Sequence, residues 1–208
     1  MQHKIIARIS DNLKQDLPGW EAQKTMSPVS SDRYMKPPDD AKQSAVLTLI
    51  SHNKDNQLQI TFIKRASHPQ DPHGGQIGFP GGSMENSDRD LLETAIRECY
   101  EELGIRQSNY KILGPLSPIY VFVSNFYLQP YVAYSNLQLN YNLQESEVAY
   151  VIEVPFDNFY NGDILKRKDY KTKSTIIKNM PYYDLNPHVL WGATAMITAE
   201  LLSLAKDI

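Results

Sequence analysis

The chain holds a single cysteine, Cys99, in 208 residues. One thiol cannot build an internal disulfide framework, so a packed core must hold the fold, and a reducing compartment, the cytoplasm, is expected. No stretch approaches the ~20 consecutive apolar residues that cross a bilayer. The opening MQHKIIARISDNL lacks a long apolar run, so no signal peptide is expected. Neither sign of charge dominates: 21 Lys and Arg stand against 24 Asp and Glu, and the net charge of −3 gives no reason to expect non-specific nucleic-acid binding. No nucleic acid and no membrane are therefore expected as partners. Internal repeats and low-complexity segments are absent as well. What is there is 41% hydrophobic and 22% charged, enough for one domain with a proper core and an appended segment.

Residues 3–15 place Ile5, Ile6, Ile9 and Leu13 at helical spacing, and Asp16 to Gly19 ends that helix. Residues 17–43, rich in Pro, Ser, Asp and Lys, read as an irregular arm. A surface wrap, a lid and a homodimer contact are all open to it. SAVLTLIS and LQITFIKR are β-type runs joined by the turn-rich HNKDNQ, which predicts a hairpin. Further strands are expected at Tyr110 to Leu116, as a pair within 119–135 turning near Val123 to Asn125, in AYVIEVPF and in STIIKNMPYYDL. Residues 157–185 carry Lys166, Arg167, Lys168, Lys171 and Lys173 beside Tyr170: a solvated hairpin, or a contact for a nucleotide phosphate. VLWGATAMITAELLSLA reads as a closing helix.

The most informative stretch is 74–105, GGQIGFPGGSMENSDRDLLETAIRECYEELGI. Gly74, Gly75, Gly78, Gly81 and Gly82 permit positive φ and close backbone approach, and N–H groups in such a loop can face an anion. Arg65, before the loop, could fork onto a phosphate or form a surface ion pair. His68 and His73 read as loop hydrogen-bonders, since no second His or Cys stands at ligand spacing. The following helix takes Ser87 or Asp88 as N-cap, puts Asp90 in its first turn and stops at Gly104. Leu92, Ala95, Ile96, Cys99 and Leu103 fall on its apolar face, and Glu98, Glu101 and Glu102 together on a face roughly opposite. Three carboxylates at i, i+3 and i+4 repel one another unless hard divalent cations bridge them, while Arg97 can hold one by a forked pair.

Residues Arg97, Glu98, Cys99, Tyr100, Glu101, Glu102, Leu103, Gly104 and Ile105, preceded by Phe79-Pro80-Gly81-Gly82, resemble the signature of the Nudix hydrolases. That signature ends in R-E-U-x-E-E-x-G-U, U being bulky and apolar; Cys99 is the imperfect fit. The general consensus has Glu eight residues before the Arg, where this chain has Arg89. The spacing instead resembles the coenzyme A pyrophosphatase-like branch, with Glu85 and Asp88 at its acidic positions. Arg65, the His73-x-Gly75-Gln76 element, Ser124-Asn125-Phe126 with Pro130, Glu147-Val148 and Trp191-Gly192-Ala193-Thr194-Ala195 are similar to the same branch. Gln70 and Asp71 depart from it, standing where a second basic residue is expected. The likeness covers roughly residues 40–205, a domain of 44–208 after an arm of 1–43.

The resemblance implies an α/β fold, a Nudix-type α/β/α sandwich with a mixed β-sheet and the signature as loop–helix–loop. It implies Mg²⁺ or Mn²⁺ held by Gly82, Glu98, Glu101 and Glu102, and a small-molecule nucleotide as substrate. Catalytic roles fall to Arg97, Glu98, Glu101, Glu102 and a carboxylate outside the signature, Glu147 or else Glu145. Substrate binding falls to Arg65, Gly75, Gln76, Phe79 and Gly81. The implied reaction is hydrolysis of a pyrophosphate, in coenzyme A or an acyl derivative, to 3′,5′-ADP and a 4′-phosphopantetheine species. ADP-ribose, a dinucleotide or a nucleoside triphosphate are alternative substrates, and a non-catalytic nucleotide-binding module is the alternative of another class.

Overall fold

A computed structural model describes residues 2–28, 36–67, 73–160, 163–171 and 176–206. In chain order the elements are α1 (Gln2–Asn12), α2 (Trp20–Gln23), β1 (Lys42–His52), β2 (Leu58–Arg65), β3 (Ile77–Gly78), β4 (Gly81–Ser83) and α3 (Leu91–Leu103). There follow β5 (Lys111–Pro115), β6 (Ile119–Val121), β7 (Phe126–Tyr134), β8 (Val148–Pro155), β9 (Leu165–Lys171), β10 (Ile176–Leu185), β11 (His188–Leu190) and α4 (Gly192–Ala205).

β1 is the axis of the main sheet. It pairs with β2 antiparallel and with β7 in parallel, so the sheet is mixed. Its side chains alternate between faces, as a strand requires. Val46 and Ile50 pack with α1 and α4, whereas Ala45, Leu47 and Leu49 pack with Ala95, Cys99 and Leu103 of α3. Both faces are thus covered by helices, and the molecule has the α/β/α layering expected. A smaller three-stranded sheet runs β11–β10–β9.

The strand pairing explains where the glycine-rich segment goes. β1 and β2 are paired from Leu49 to His52 and then part. The chain from Ile77 to Ser83 fills the gap, pairing Ile77 and Gly78 with β2, and Gly81 to Ser83 with β1. Gly81 is obligatory there: its φ is +152°, and a Cβ would lie 2.2 Å from the Ala45 carbonyl oxygen.

Of the expected irregular arm, residues 29–35 lie outside the described residues, and the described part before them holds helical turns. Ile6, Ile9, Leu13 and Met26 are buried in the core beside α4, and residues 20–26 form α2 and a 3₁₀ turn. Arg8 and Asn12 donate to the carbonyls of Ala205 and Leu204 at 3.0 and 2.8 Å, satisfying the end of α4. Glu200, fully buried on α4, accepts from the Gly19 and Ser117 amides at 3.1 and 3.3 Å and from Gln23 Nε2 at 2.8 Å.

Candidate active site

α3 begins two or three residues later than a cap at Asp88 or Ser87 predicts. Asp90 is the N-cap, accepting from the Glu93 amide at 2.8 Å. Glu93 reaches back to the Arg89 amide at 2.7 Å, a variant of the reciprocal capping box. Gly104 closes the helix at φ +69°. Asp88 is withdrawn from capping because it is bound elsewhere. It accepts from Arg97 Nε and Nη2 at 3.0 and 3.1 Å, from Thr94 Oγ1 at 2.9 Å and from the Glu85 amide at 2.9 Å. The Arg97 guanidinium, with these hydrogen bonds, holds the Asp88 carboxyl down to about 2.

Arg97 uses its remaining donors to tie the loop to the helix. Nη2 donates to the Ser83 carbonyl at 3.0 Å. Nη1 donates to Glu98 Oε1 at 3.0 Å and to Glu101 Oε2 at 2.8 Å. The fork anticipated on one carboxylate therefore closes on Asp88, nine residues earlier. That partnership was missed in the sequence, where the one signal is an acidic residue displaced by one from the consensus position.

The helix is also rotated from the predicted wheel. Leu91, Leu92 and Ile96 are all half-buried, Leu91 packing against the core, and Glu102, assigned to the outer face, is 1% exposed. Glu102 Oε2 accepts the Gly81 amide at 2.9 Å. Its Oε1 receives no hydrogen bond from the described residues and faces Arg65 Nη1 at 3.8 Å. Burial pushes the Glu102 carboxyl up to about 8, and burial raises Glu98 as well. Glu147 arrives from a different part of the chain. The 142–147 loop docks on the end of α3 through the Asn142 and Gln144 amides, at 2.8 and 3.1 Å from the Leu103 and Glu102 carbonyls, and Ala66 N–H holds the Glu147 carbonyl at 2.7 Å.

One carboxylate oxygen from each of Glu98, Glu102 and Glu147 lies within 4.8 Å of the others. Gly82 lies against this cluster: a Cβ there would stand 2.3 Å from Glu98 Oε1. Three converging oxygen donors, one of them buried without a hydrogen bond among the described residues, fit a hard divalent cation such as Mg²⁺ or Mn²⁺.

The other expected site residues divide. Glu101 is exposed and held by Arg97, outside the three-carboxylate group, as is Glu145. Arg65 lies beside Glu102, and its amide donates to the Gln76 carbonyl at 3.0 Å while its carbonyl accepts the Gly75 amide at 3.2 Å. Gly75 sits at φ +74°, in the turn that follows His73. Phe79 has its ring buried in the core against Phe62, centroids 4.9 Å apart. The Gly81 amide donates to Glu102 Oε2. His68, Gln70, Asp71 and Lys173 lie outside the described residues.

Comparison with known proteins bears on this geometry. The NUDIX domain family matches residues 41–171. The chain is 33% identical over 179 residues to the uncharacterized Nudix hydrolase NudL of Pectobacterium atrosepticum, covering 83% of this chain and 88% of that protein. It is 32% identical to NudL of an Enterobacter species, over 77% and 81%. A MutT/nudix family protein from Enterococcus faecalis superposes with a TM-score of 0.48 at 15% identity, covering 94% of this chain and 72% of that one. With the family matched across more than half its length and a relative at 33% identity across most of it, the chain belongs to the Nudix hydrolase family.

Proposed function

We propose that the protein hydrolyses the pyrophosphate of coenzyme A or an acyl-coenzyme A, giving 3′,5′-ADP and a 4′-phosphopantetheine species. Hydrolysis of a phosphorus-containing anhydride follows from the family. The observation that carries the chemistry is the convergence of Glu98, Glu102 and Glu147 beside the glycine-rich segment. The substrate rests on sequence elements resembling the coenzyme A branch: Arg65, His73-x-Gly75-Gln76, Ser124-Asn125-Phe126 with Pro130, and Trp191 to Ala195. Gln70 and Asp71 favour a second reading, the same chemistry on ADP-ribose or a dinucleotide.

Glu98, Glu102 and Glu147 would hold the Mg²⁺ or Mn²⁺. A divalent cation bound there offsets the charge of the pyrophosphate and acidifies water. Water adds to phosphorus, the bridging P–O bond breaks, and a proton is lost. Glu147 would take that proton on its carboxylate oxygen not engaged with the cation, a reading supported by its exposure to solvent, by the burial of Glu102 on the Gly81 amide and by the engagement of Glu101 with Arg97. Arg97 orients Glu98 and fixes the loop through Ser83 and Asp88, and Arg65 supplies a positive charge beside the cluster.

The test is incubation with coenzyme A and Mg²⁺ or Mn²⁺, product masses being read directly, beside Glu102→Gln and Glu147→Gln. Release of 3′,5′-ADP, reduced at least 100-fold in both variants, supports the substrate and the site. Turnover of ADP-ribose without turnover of coenzyme A keeps the chemistry and rejects the substrate.

A further inference from the structure

The mechanism above leaves the basic hairpin β9–β10 unused, and its cations are not equivalent. Lys166 pairs with Asp184 at 2.6 Å and Lys178 with Asp169 at 2.5 Å, while Arg167 donates to the Asn179 carbonyl at 3.1 Å. Lys168 makes no hydrogen bond or close ion pair to a carboxylate or carbonyl among the described residues, and Asp184, which is bonded to Lys166, acts on it only at longer range. Its ammonium stands over the Tyr182 ring, 4.6 Å from the centroid, and 5.9 Å from that of Tyr170. Tyr170 packs in turn on Trp191, centroids 4.7 Å apart and planes inclined by 39°. The register accounts for the grouping: Lys166, Lys168 and Tyr170 alternate along β9 on one face, and Tyr182 is opposite Lys166. All of Lys168, Tyr170, Tyr182 and Trp191 are half-buried, so each is fixed by packing yet keeps open surface.

This surface is joined to the acidic cluster by a short chain of contacts. Thr194, in the first turn of α4 just after Trp191, donates to the Ile77 carbonyl at 3.2 Å. Ile77 follows Gln76, which is bonded to the Arg65 backbone, and Arg65 faces Glu102. A lysine whose partners are ring faces keeps its N–H donors for an anion, and half-buried aromatic rings beside it offer a stacking surface for a base. A ligand matching both is a planar base carrying a phosphate monoester on its sugar.

We infer that Lys168, Tyr170, Tyr182 and Trp191 bind the phosphorylated purine nucleoside end of the substrate, the base on the rings and the phosphate monoester on the Lys168 ammonium. The inference rests on the reading of the substrate as a pyrophosphate-linked nucleotide. It gives a role to the Lys168 ammonium, which among the described residues stands over ring faces and is hydrogen-bonded to no carboxylate.

Trp191 reports on the site, because the chain has only one other tryptophan, Trp20. In a Trp20→Phe background without metal, titration with 3′,5′-ADP should quench the remaining fluorescence saturably. Lys168→Ala should weaken that binding about tenfold, as loss of a charge-assisted contact does. Adenosine should bind more weakly and indifferently to Lys168→Ala. Lys14→Ala, which removes one charge from the turn after α1, should leave every value unchanged. No quenching, or equal affinity for 3′,5′-ADP in Lys168→Ala, overturns the inference. Hydrolysis separates it from the reading beneath it. If coenzyme A is cleaved and Lys168→Ala keeps the wild-type KM, the site is wrong and the activity stands. If coenzyme A is not cleaved while 3′,5′-ADP binds through Lys168, the activity is wrong and the site stands.

Discussion

Glu102 carries a carboxylate to a place where ionisation is costly. Its folded value of about 8 lies above the ordinary 4.5 of a glutamate. A raised folded value favours the native state below the unfolded value, and that advantage is lost as pH climbs through the folded one. In EDTA, the melting temperature should therefore fall by ~5 °C or more between pH 5 and pH 8. Glu102→Gln, which cannot ionise, should flatten that slope, and differential scanning calorimetry at a series of pH values would show it. The same proton must leave before a cation binds, so Mg²⁺ binding measured calorimetrically at pH 7 in two buffers should release close to one proton. The opposite arrangement operates at Asp88. Its pair with Arg97 is nearly buried, the two side chains being 3% and 18% exposed. Asp88→Ala leaves the guanidinium without its fork, and urea unfolding should show a loss of about 3 kcal/mol.

At the scale of the element, the two glycines between β3 and α3 have different reasons to be glycine. A Cβ on Gly81 meets backbone at Ala45, which cannot yield, and its φ is wrong for any other residue. Gly81→Ala should lower stability by roughly 3 kcal/mol. A Cβ on Gly82 meets only the Glu98 carboxylate, a side-chain end that can swing away. Gly82→Ala should therefore keep most of its melting temperature while losing activity at least tenfold, because Glu98 leaves the cluster. Parallel thermal melts and turnover assays distinguish the two. The helix itself was legible in sequence because its spacing, its glycine stop and its acidic triplet all agree. Its start was not, since Ser87, Asp88 and Asp90 are equally good caps until Arg97 claims Asp88. The burial of Glu102 was hidden for a related reason. A helical wheel ranks faces by apolar content, and a buried carboxylate on the Gly81 amide counts against the face it occupies.

Across the whole molecule, the hairpin, the β5–β8 strands and the closing helix were readable from alternation and turn residues. What ties them together was not. Glu147 joins the carboxylates through a loop docked on α3, a contact without local signature. Glu200 looks like an exposed helix residue in the sequence, yet it fastens Gly19, Gln23 and Ser117 to α4. Glu200→Ala strands three donors and should cost about 3 kcal/mol. Hydrogen exchange should quicken at the Gly19 and Ser117 amides in that variant, while the Gly81 amide stays slow. Uniform acceleration at all three would mean that Glu200 supports the fold globally rather than the amino-terminal packing.

The parting of β1 and β2 has a consequence for how such a molecule can diversify. The segment that fills the gap is paired to a strand on each side, with Ile77 and Gly78 on β2 and Gly81 to Ser83 on β1. Adding or deleting one residue between those pairings would turn every following side chain to the wrong face. The length of that stretch is therefore locked, and insertions that alter ligand preference are confined to segments outside it, such as the turn after Arg65 and the loop that delivers Glu147.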